Sequence, residues 1–139
     1  MRRLALVTTL ASLACVPEEG PLMQPGRNCM ECHGGSGEDD ARPWTLAGTV
    51  YAAPNAPHQA GVEGVRVHVT DSKGFDFRLR SNQAGNFYTA EALSFPLAVC
   101  LERDGAGTTC MESPVEHGSC NACHTVPPTE NAPGRLTQP

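Results

Sequence analysis

The segment Val65-Arg66-Val67-His68-Val69 alternates strictly between apolar and polar residues. Successive side chains of a β-strand point to opposite faces, so the three valines share one face and Arg66 and His68 share the other. Such alternation is typical of a strand that buries one side and exposes the other. The segment therefore predicts a half-buried strand in a small β-domain.

Five further stretches on both sides of this segment also predict strands, because turn-forming residues separate them and none has the apolar stripe of a helix. Short strands at this spacing predict a mainly β fold, a small antiparallel β-sandwich over residues 44–113. We expect its strands to follow one another in an up-and-down order. The six predicted strands are Thr45–Tyr51, Val65–Thr70, Phe75–Ser81, Asn86–Ala90, Pro96–Glu102 and Thr108–Ser113.

Three stretches of this region resemble carboxypeptidase-regulatory-like and transthyretin-like β-sandwich domains. Residues 46–50 (LAGTV) are similar to the Gly-x-Val opening of those domains, and residues 64–67 (GVRV) to their Val-x-Val strand. Residues 82–88 are similar to their Thr-Asn-x-x-Gly-x-Phe/Tyr turn, with Ser81 in place of the threonine. The resemblance implies a sandwich that serves as a non-catalytic module.

Two copies of the pattern Cys-x-x-Cys-His flank the predicted sandwich, and this pattern is the attachment site of a c-type haem. The two thiols bond to the vinyl groups of the porphyrin, and the histidine supplies the proximal iron ligand. A chain with 7 Cys and 5 His in 139 residues has little chance of forming the pattern twice. We therefore expect two covalent haem c groups, and the pair of motifs resembles small multihaem c-type cytochromes. The site residues are Cys29, Cys32 and His33 in the first motif and Cys120, Cys123 and His124 in the second.

An electron-transfer haem also needs a distal ligand from methionine or histidine. For the second haem we favour Met111, which lies nine residues before Cys120. For the first haem the sequence gives no preference between Met23 and a histidine. The remaining candidates are His58, His117 and His68, of which His68 fits better as a solvent-facing residue of the sheet.

Two more cysteines, Cys100 and Cys110, are predicted to form a disulfide. If the segments around them pair as a hairpin, the two residues lie directly opposite each other, within reach of a disulfide bond. Cys100 lies on the face opposite Leu97, Val99 and Leu101, so the bridge is expected on the outer side of the sheet.

The N-terminus predicts an export signal over residues 1–14, with Arg2 and Arg3 before an apolar run that is too short to span a bilayer. Cys15 follows Ser12-Leu13-Ala14, which resembles a bacterial lipobox and implies a lipidated Cys15 and a membrane anchor. Ordinary signal cleavage is the alternative. Either interpretation places the protein outside the cytoplasm, in the periplasm or at the outer membrane or cell surface.

Between leader and sandwich, residues 15–43 are expected to be an irregular tether and first haem segment, and residues 114–139 an irregular second haem segment. A net charge of −5 argues against nucleic-acid binding and would suit a basic redox partner. The expected function is electron transfer without enzymatic activity. The alternatives are a redox enzyme or gas sensor with an open iron site, and a non-haem module clasped by zinc or disulfides. An even number of strands would bring both haems to one end of the sandwich, while the oligomeric state stays open.

Overall fold

The computed structural model describes residues 20–35 and 43–139, and within these ranges it is a mainly β protein. Two sheets pack face to face, which confirms the predicted small β-sandwich. Two single-turn helices, α1 and α2, lie before and after the six strands that were predicted. The bounds are α1 Met30–His33, β1 Leu46–Tyr51, β2 Arg66–Thr70, β3 Asp76–Arg80, β4 Asn86–Thr89, β5 Ala98–Arg103, β6 Gly107–Cys110, α2 Cys120–Cys123 and β7 Leu136–Thr137.

The strands do not follow an up-and-down order, and that expectation is wrong. One sheet has the order β3-β2-β5-β6 and is antiparallel throughout. The other has the order β4-β1-β7, in which β1 pairs antiparallel with β4 and parallel with β7. The chain crosses between sheets after β1, because β1 and β2 both carry core residues and cover that core from opposite sides.

The core contains the apolar face of β2 that the alternation predicts. Val67 and Val69 are fully buried between the sheets, next to Leu46 and Phe87 from the opposite sheet. In contrast to β2, every residue of β1 is buried. One face of β1 meets the core, and its other side is covered by chain from outside the sandwich.

The C-terminal segment, predicted to be irregular, contains a strand. Leu136 and Thr137 form β7, which pairs with Val50 and Tyr51 at the end of β1. A strand of two residues has no periodicity for a sequence pattern to detect. At the other edge of the sandwich, the β5–β6 hairpin has the predicted register, with Cys100 opposite Cys110 and a disulfide between them.

The export signal and Cys15 lie outside the described residues. Within residues 20–35 and 43–139, no helix is long and apolar enough to cross a membrane.

Candidate functional site

Each Cys-x-x-Cys-His motif forms a single helical turn. In the first motif, the backbone N–H of His33 donates to the carbonyl of Cys29 at 3.0 Å, and in the second that of His124 donates to Cys120 at 3.0 Å. The turn therefore brings each histidine back beside the first cysteine of its own motif, the arrangement on which the haem interpretation depends.

The second motif is bonded directly to the edge of β1. Asn121 is only 3% exposed, and its side-chain oxygen accepts the backbone N–H of Thr49 at 3.0 Å. One turn earlier, the N–H of Ala47 donates to the carbonyl of Gly118 at 2.8 Å. β7 pairs only with Val50 and Tyr51. Along the first half of β1, the second motif and the residues just before it therefore accept the N–H hydrogen bonds that a neighbouring strand would otherwise accept.

This close approach depends on a glycine in β1. A Cβ atom built on Gly48 would lie 2.8 Å from the Cβ of Cys120 and 2.6 Å from the ring of Phe87. Any larger residue would separate α2 from the sheet, so Gly48 permits the second motif to pack on β1.

The N-terminal segment is bound to the same place. The N–H of Gly26 donates to the Thr49 hydroxyl at 2.9 Å, and the side chain of Asn86 donates to the carbonyl of Met23 at 2.9 Å. From Gly20 onward, the segment expected to be a tether therefore lies against β1 and β4.

Two hydrogen bonds join the second motif and the residue before it to the residues just before the first motif. The Asn121 amide donates to the carbonyl of Arg27 at 2.8 Å, and the Ser119 hydroxyl donates to the side-chain oxygen of Asn28. The motifs lie side by side, but not for the reason that the strand count suggested. They meet because the second motif and the chain before the first motif both dock on β1, whichever way the strands alternate.

The thiols nearest this contact are poor nucleophiles in the folded chain. Burial raises the pKa of Cys29 to about 11 and that of Cys120 to about 12, with a further rise at Cys120 from the neighbouring Cys29. The thiolate is the reactive form, so both groups are kept neutral and shielded near pH 7.

His124 is held in an orientation suited to metal binding. Its Nδ1 lies 2.9 Å from the carbonyl oxygen of Gly134, so that nitrogen carries the proton and donates it. The ring is 7% exposed, and its Nε2 has no hydrogen-bond partner among the described residues. In the neutral ring, this hydrogen bond selects the tautomer whose buried Nε2 can bind a metal, as a proximal haem ligand requires.

His33 is positioned by stacking. Its ring lies 3.8 Å from the ring of Trp44, at an angle of 15°, and Trp44 in turn stacks on Tyr88 at 4.1 Å and 7°. The backbone N–H of Trp44 also donates to the backbone carbonyl of His33 at 2.7 Å. The plane of the imidazole is therefore fixed by Trp44, which Tyr88 in turn supports.

A cleft of about 700 Å³ opens between the two motifs. Its walls come from the N-terminal segment, the loop at residues 58–59 and α2, and they include Asn28, Glu31, His58, Asn121 and Ala122. A cavity of this volume lies within the usual range for cofactor sites.

The candidates for the distal ligand are spread over the molecule. Met23 lines a small cavity with Cys29, Cys32, His33 and Trp44, so it lies beside the first motif. His58 lines the large cleft. Met111 is 38% exposed just after β6, and its backbone pairs with Val99, so its assignment to the second haem stays a prediction.

His68 lies on the solvent side of the four-stranded sheet, as the alternation suggests. Its two ring nitrogens lie 2.6 Å from Asp76 and 3.1 Å from Glu102. The hydrogen bond from His68 is the largest influence that lowers the pKa of Asp76. The histidine belongs to a charged cluster on the outer face of the sheet.

His117 belongs to another group of side chains. Among the described residues, the only three candidate metal ligands whose ligand atoms lie within 4.8 Å of one another are His117, Cys123 and Glu130. The four motif thiols do not form such a group. A zinc ion held by all four cysteines would therefore require rearrangement of the chain.

Sequence reasoning missed the residues that assemble the site. Asn121 and Thr49 occupy variable positions of their motifs, and Gly134 and Trp44 belong to no motif. Each acts through a tertiary contact, and only the apolar setting of Trp44 at the start of the sandwich gave any signal.

Comparisons with known proteins do not assign the chain to a family. No family model, no curated protein and no solved structure matches it.

Proposed function

We propose that this protein is an extracytoplasmic electron-transfer protein that carries two covalently attached c-type haems. The observation that best supports the proposal is the state of His124, whose Nδ1 is tied to Gly134 while its buried Nε2 has no partner among the described residues. A buried polar atom without a partner is costly, so its presence favours a ligand that completes it.

The residues present fit two haems. Cys29 and Cys32 would hold one through thioether bonds and Cys120 and Cys123 the other, with His33 and His124 as proximal ligands. When bound, each haem supplies a one-electron couple. The chain's part is to orient the two imidazoles, by the Trp44 stack at one and the Gly134 carbonyl at the other, and to exclude water from them.

The side-by-side motifs support transfer between the two centres within one chain, since Asn28 and Ser119 touch across the boundary. The Cys100–Cys110 disulfide supports a location outside the cytoplasm, where such bonds persist. The export signal and the lipid anchor at Cys15 belong to the same proposal. The partners would be other redox proteins, and the protein itself would not be an enzyme.

The test is intact mass after expression with haem-maturation machinery. The parent should exceed its polypeptide mass by two haems, and both Cys29→Ala/Cys32→Ala and Cys120→Ala/Cys123→Ala should each lose one. The absorption spectrum should show six-coordinate, low-spin iron. A parent without added mass ends the proposal, and a high-spin spectrum favours the gas sensor or redox enzyme instead.

The cluster of His117, Cys123 and Glu130 favours a second candidate, a non-haem metal site. Imidazole, thiol and carboxylate are all zinc ligands, but zinc requires the thiolate. In the structure the Cys123 thiol donates to Glu130 at 3.3 Å, and burial and this hydrogen bond raise its pKa. The two candidates compete for Cys123, so zinc in the parent protein that is lost in His117→Ala, without haem mass, would select this one.

A further inference from the structure

Arg135 is a buried cation with no anion beside it among the described residues. The residue is 3% exposed, yet no carboxylate of the described residues pairs with its guanidinium. Its Nη1 is buried and has no hydrogen-bond partner there either. Buried charges in proteins are normally paired, because removing an ion from water without a counter-ion is strongly unfavourable.

The groups around the guanidinium are all neutral or weakly polar. Its Nε donates to the carbonyl of Ala56 at 2.7 Å, and its carbon lies 4.3 Å above the ring of Tyr51. Burial raises the pKa of Tyr51 even though the charge of Arg135 opposes the rise, so the phenol stays neutral and is not the counter-ion. His58 approaches at 3.4 Å through Nδ1 and carries no negative charge.

The position of Arg135 connects it to the second motif. Arg135 directly follows Gly134, whose carbonyl fixes the tautomer of His124. Two of its other neighbours, Gly26 and His58, line the cleft between the motifs. Gly26 passes so close to Nη1 and the Tyr51 hydroxyl that a Cβ atom there would overlap both, so only glycine backbone stands at this approach from the cleft.

We propose that Arg135 is an anion-binding residue whose guanidinium pairs with a carboxylate of the second haem. The inference rests on the proposed function, because it names one contact of the second haem with the chain. A guanidinium can present its two terminal nitrogens as parallel donors to a carboxylate, and Nη1 of Arg135 is unused among the described residues. The pair would neutralise a buried negative charge close to the iron that His124 ligates.

The charge of Arg135 should therefore set the reduction potential of the second haem. Without the cation, the carboxylate stays negative and favours the oxidised, more positive iron. In a Cys29→Ala/Cys32→Ala background, which leaves one haem, Arg135→Gln should lower the reduction equilibrium constant about tenfold, or 59 mV for one electron. Arg135→Lys keeps the charge and should retain most of the parent value.

The matched control is Arg66→Gln on the opposite sheet, where Arg66 pairs with Glu102 at 3.2 Å and Asp104 at 2.8 Å. It should leave the potential unchanged. A second readout is the thermal unfolding midpoint of the haem-loaded protein, which should fall in Arg135→Gln because the carboxylate loses its partner.

Three results would overturn the inference. One is an unchanged potential in Arg135→Gln, and another is an equal shift in Arg135→Gln and Arg135→Lys, which would indicate a structural role. The third is loss of the Arg135→Gln shift when Glu38, Asp39 and Asp40 are neutralised together, which would make the chain's own acidic run the source of the carboxylate. Absence of haem mass at Cys120 and Cys123 would instead refute the proposed function, so the two failures can be told apart.

Discussion

The two Cys-x-x-Cys-His motifs have the same spacing, but different interactions hold them. The second is bonded into the β-sheet through Asn121, and its histidine is fixed by a hydrogen bond to Gly134. The first touches the sheet mainly through the chain before it, and its histidine is fixed by stacking on Trp44. One sequence motif therefore meets two supporting environments, and the environment decides how rigidly each imidazole is held.

The difference matters for the proposed redox function. The hydrogen bond at Nδ1 makes the His124 imidazole a stronger donor to a metal, and stacking on Trp44 fixes the ring plane of His33. We therefore expect two unequal haems, with the second less dependent on aromatic neighbours than the first.

The largest effect should come from Asn121→Ala. The substitution removes the partners of the Thr49 N–H and the Arg27 carbonyl, and each buried group left unpaired costs about 1–3 kcal/mol. We expect the free energy of unfolding of the haem-loaded protein to fall by about 3 kcal/mol in urea titrations. Met30→Ala, at the same position of the first motif, should cost clearly less. Equal losses would show that both motifs are anchored alike.

A smaller effect should come from removing the Cys100–Cys110 disulfide, which joins β5 and β6 in the sheet opposite the one on which the second motif docks. The residues are 10 positions apart, so the chain-entropy contribution of the loop is about 2–3 kcal/mol. Cys100→Ser/Cys110→Ser should lose this much stability while both reduction potentials stay as they were. A shift in either potential would mean that the two sheets are coupled, and that the inequality has a wider origin.

The smallest effect on stability should come from Trp44→Leu. Loss of the stack with His33 and Tyr88 should cost about 1 kcal/mol beyond the change in burial. The electron spin resonance spectrum of the first haem should change as its imidazole reorients, while that of the second does not. Trp44→Phe, which keeps a ring in place, should lie near the parent. A change confined to the second haem would contradict the assignment of the stack to the first.

The sequence was sufficient where a local pattern carries the information. The alternation at 65–69 gave the buried face of β2, and turn residues gave the hairpin that brings Cys100 and Cys110 together. The sequence did not predict the order of the strands in the sheets. The pairing of β1 with β4 depends on how the two sheets share one core, which no local pattern records.

The supporting residues were beyond the reach of patterns for a related reason. An arginine in a proline-rich tail is normally exposed, so nothing in the local sequence marks Arg135 as buried. The N-terminal segment looks loose because it is rich in proline and glycine. Its contacts run through backbone groups and the side chains of Asn82 and Asn86, and a hydrophobic pattern does not register these.

The docking of the second motif along β1 also bears on self-association. An uncovered strand edge offers unpaired N–H groups to other chains and promotes aggregation. Here the carbonyl of Gly118 and the side-chain oxygen of Asn121 accept hydrogen bonds from the N–H groups of Ala47 and Thr49. A chain whose second motif has not yet docked would expose this strand edge to other chains. Docking of the second motif would therefore also protect the protein from aggregation.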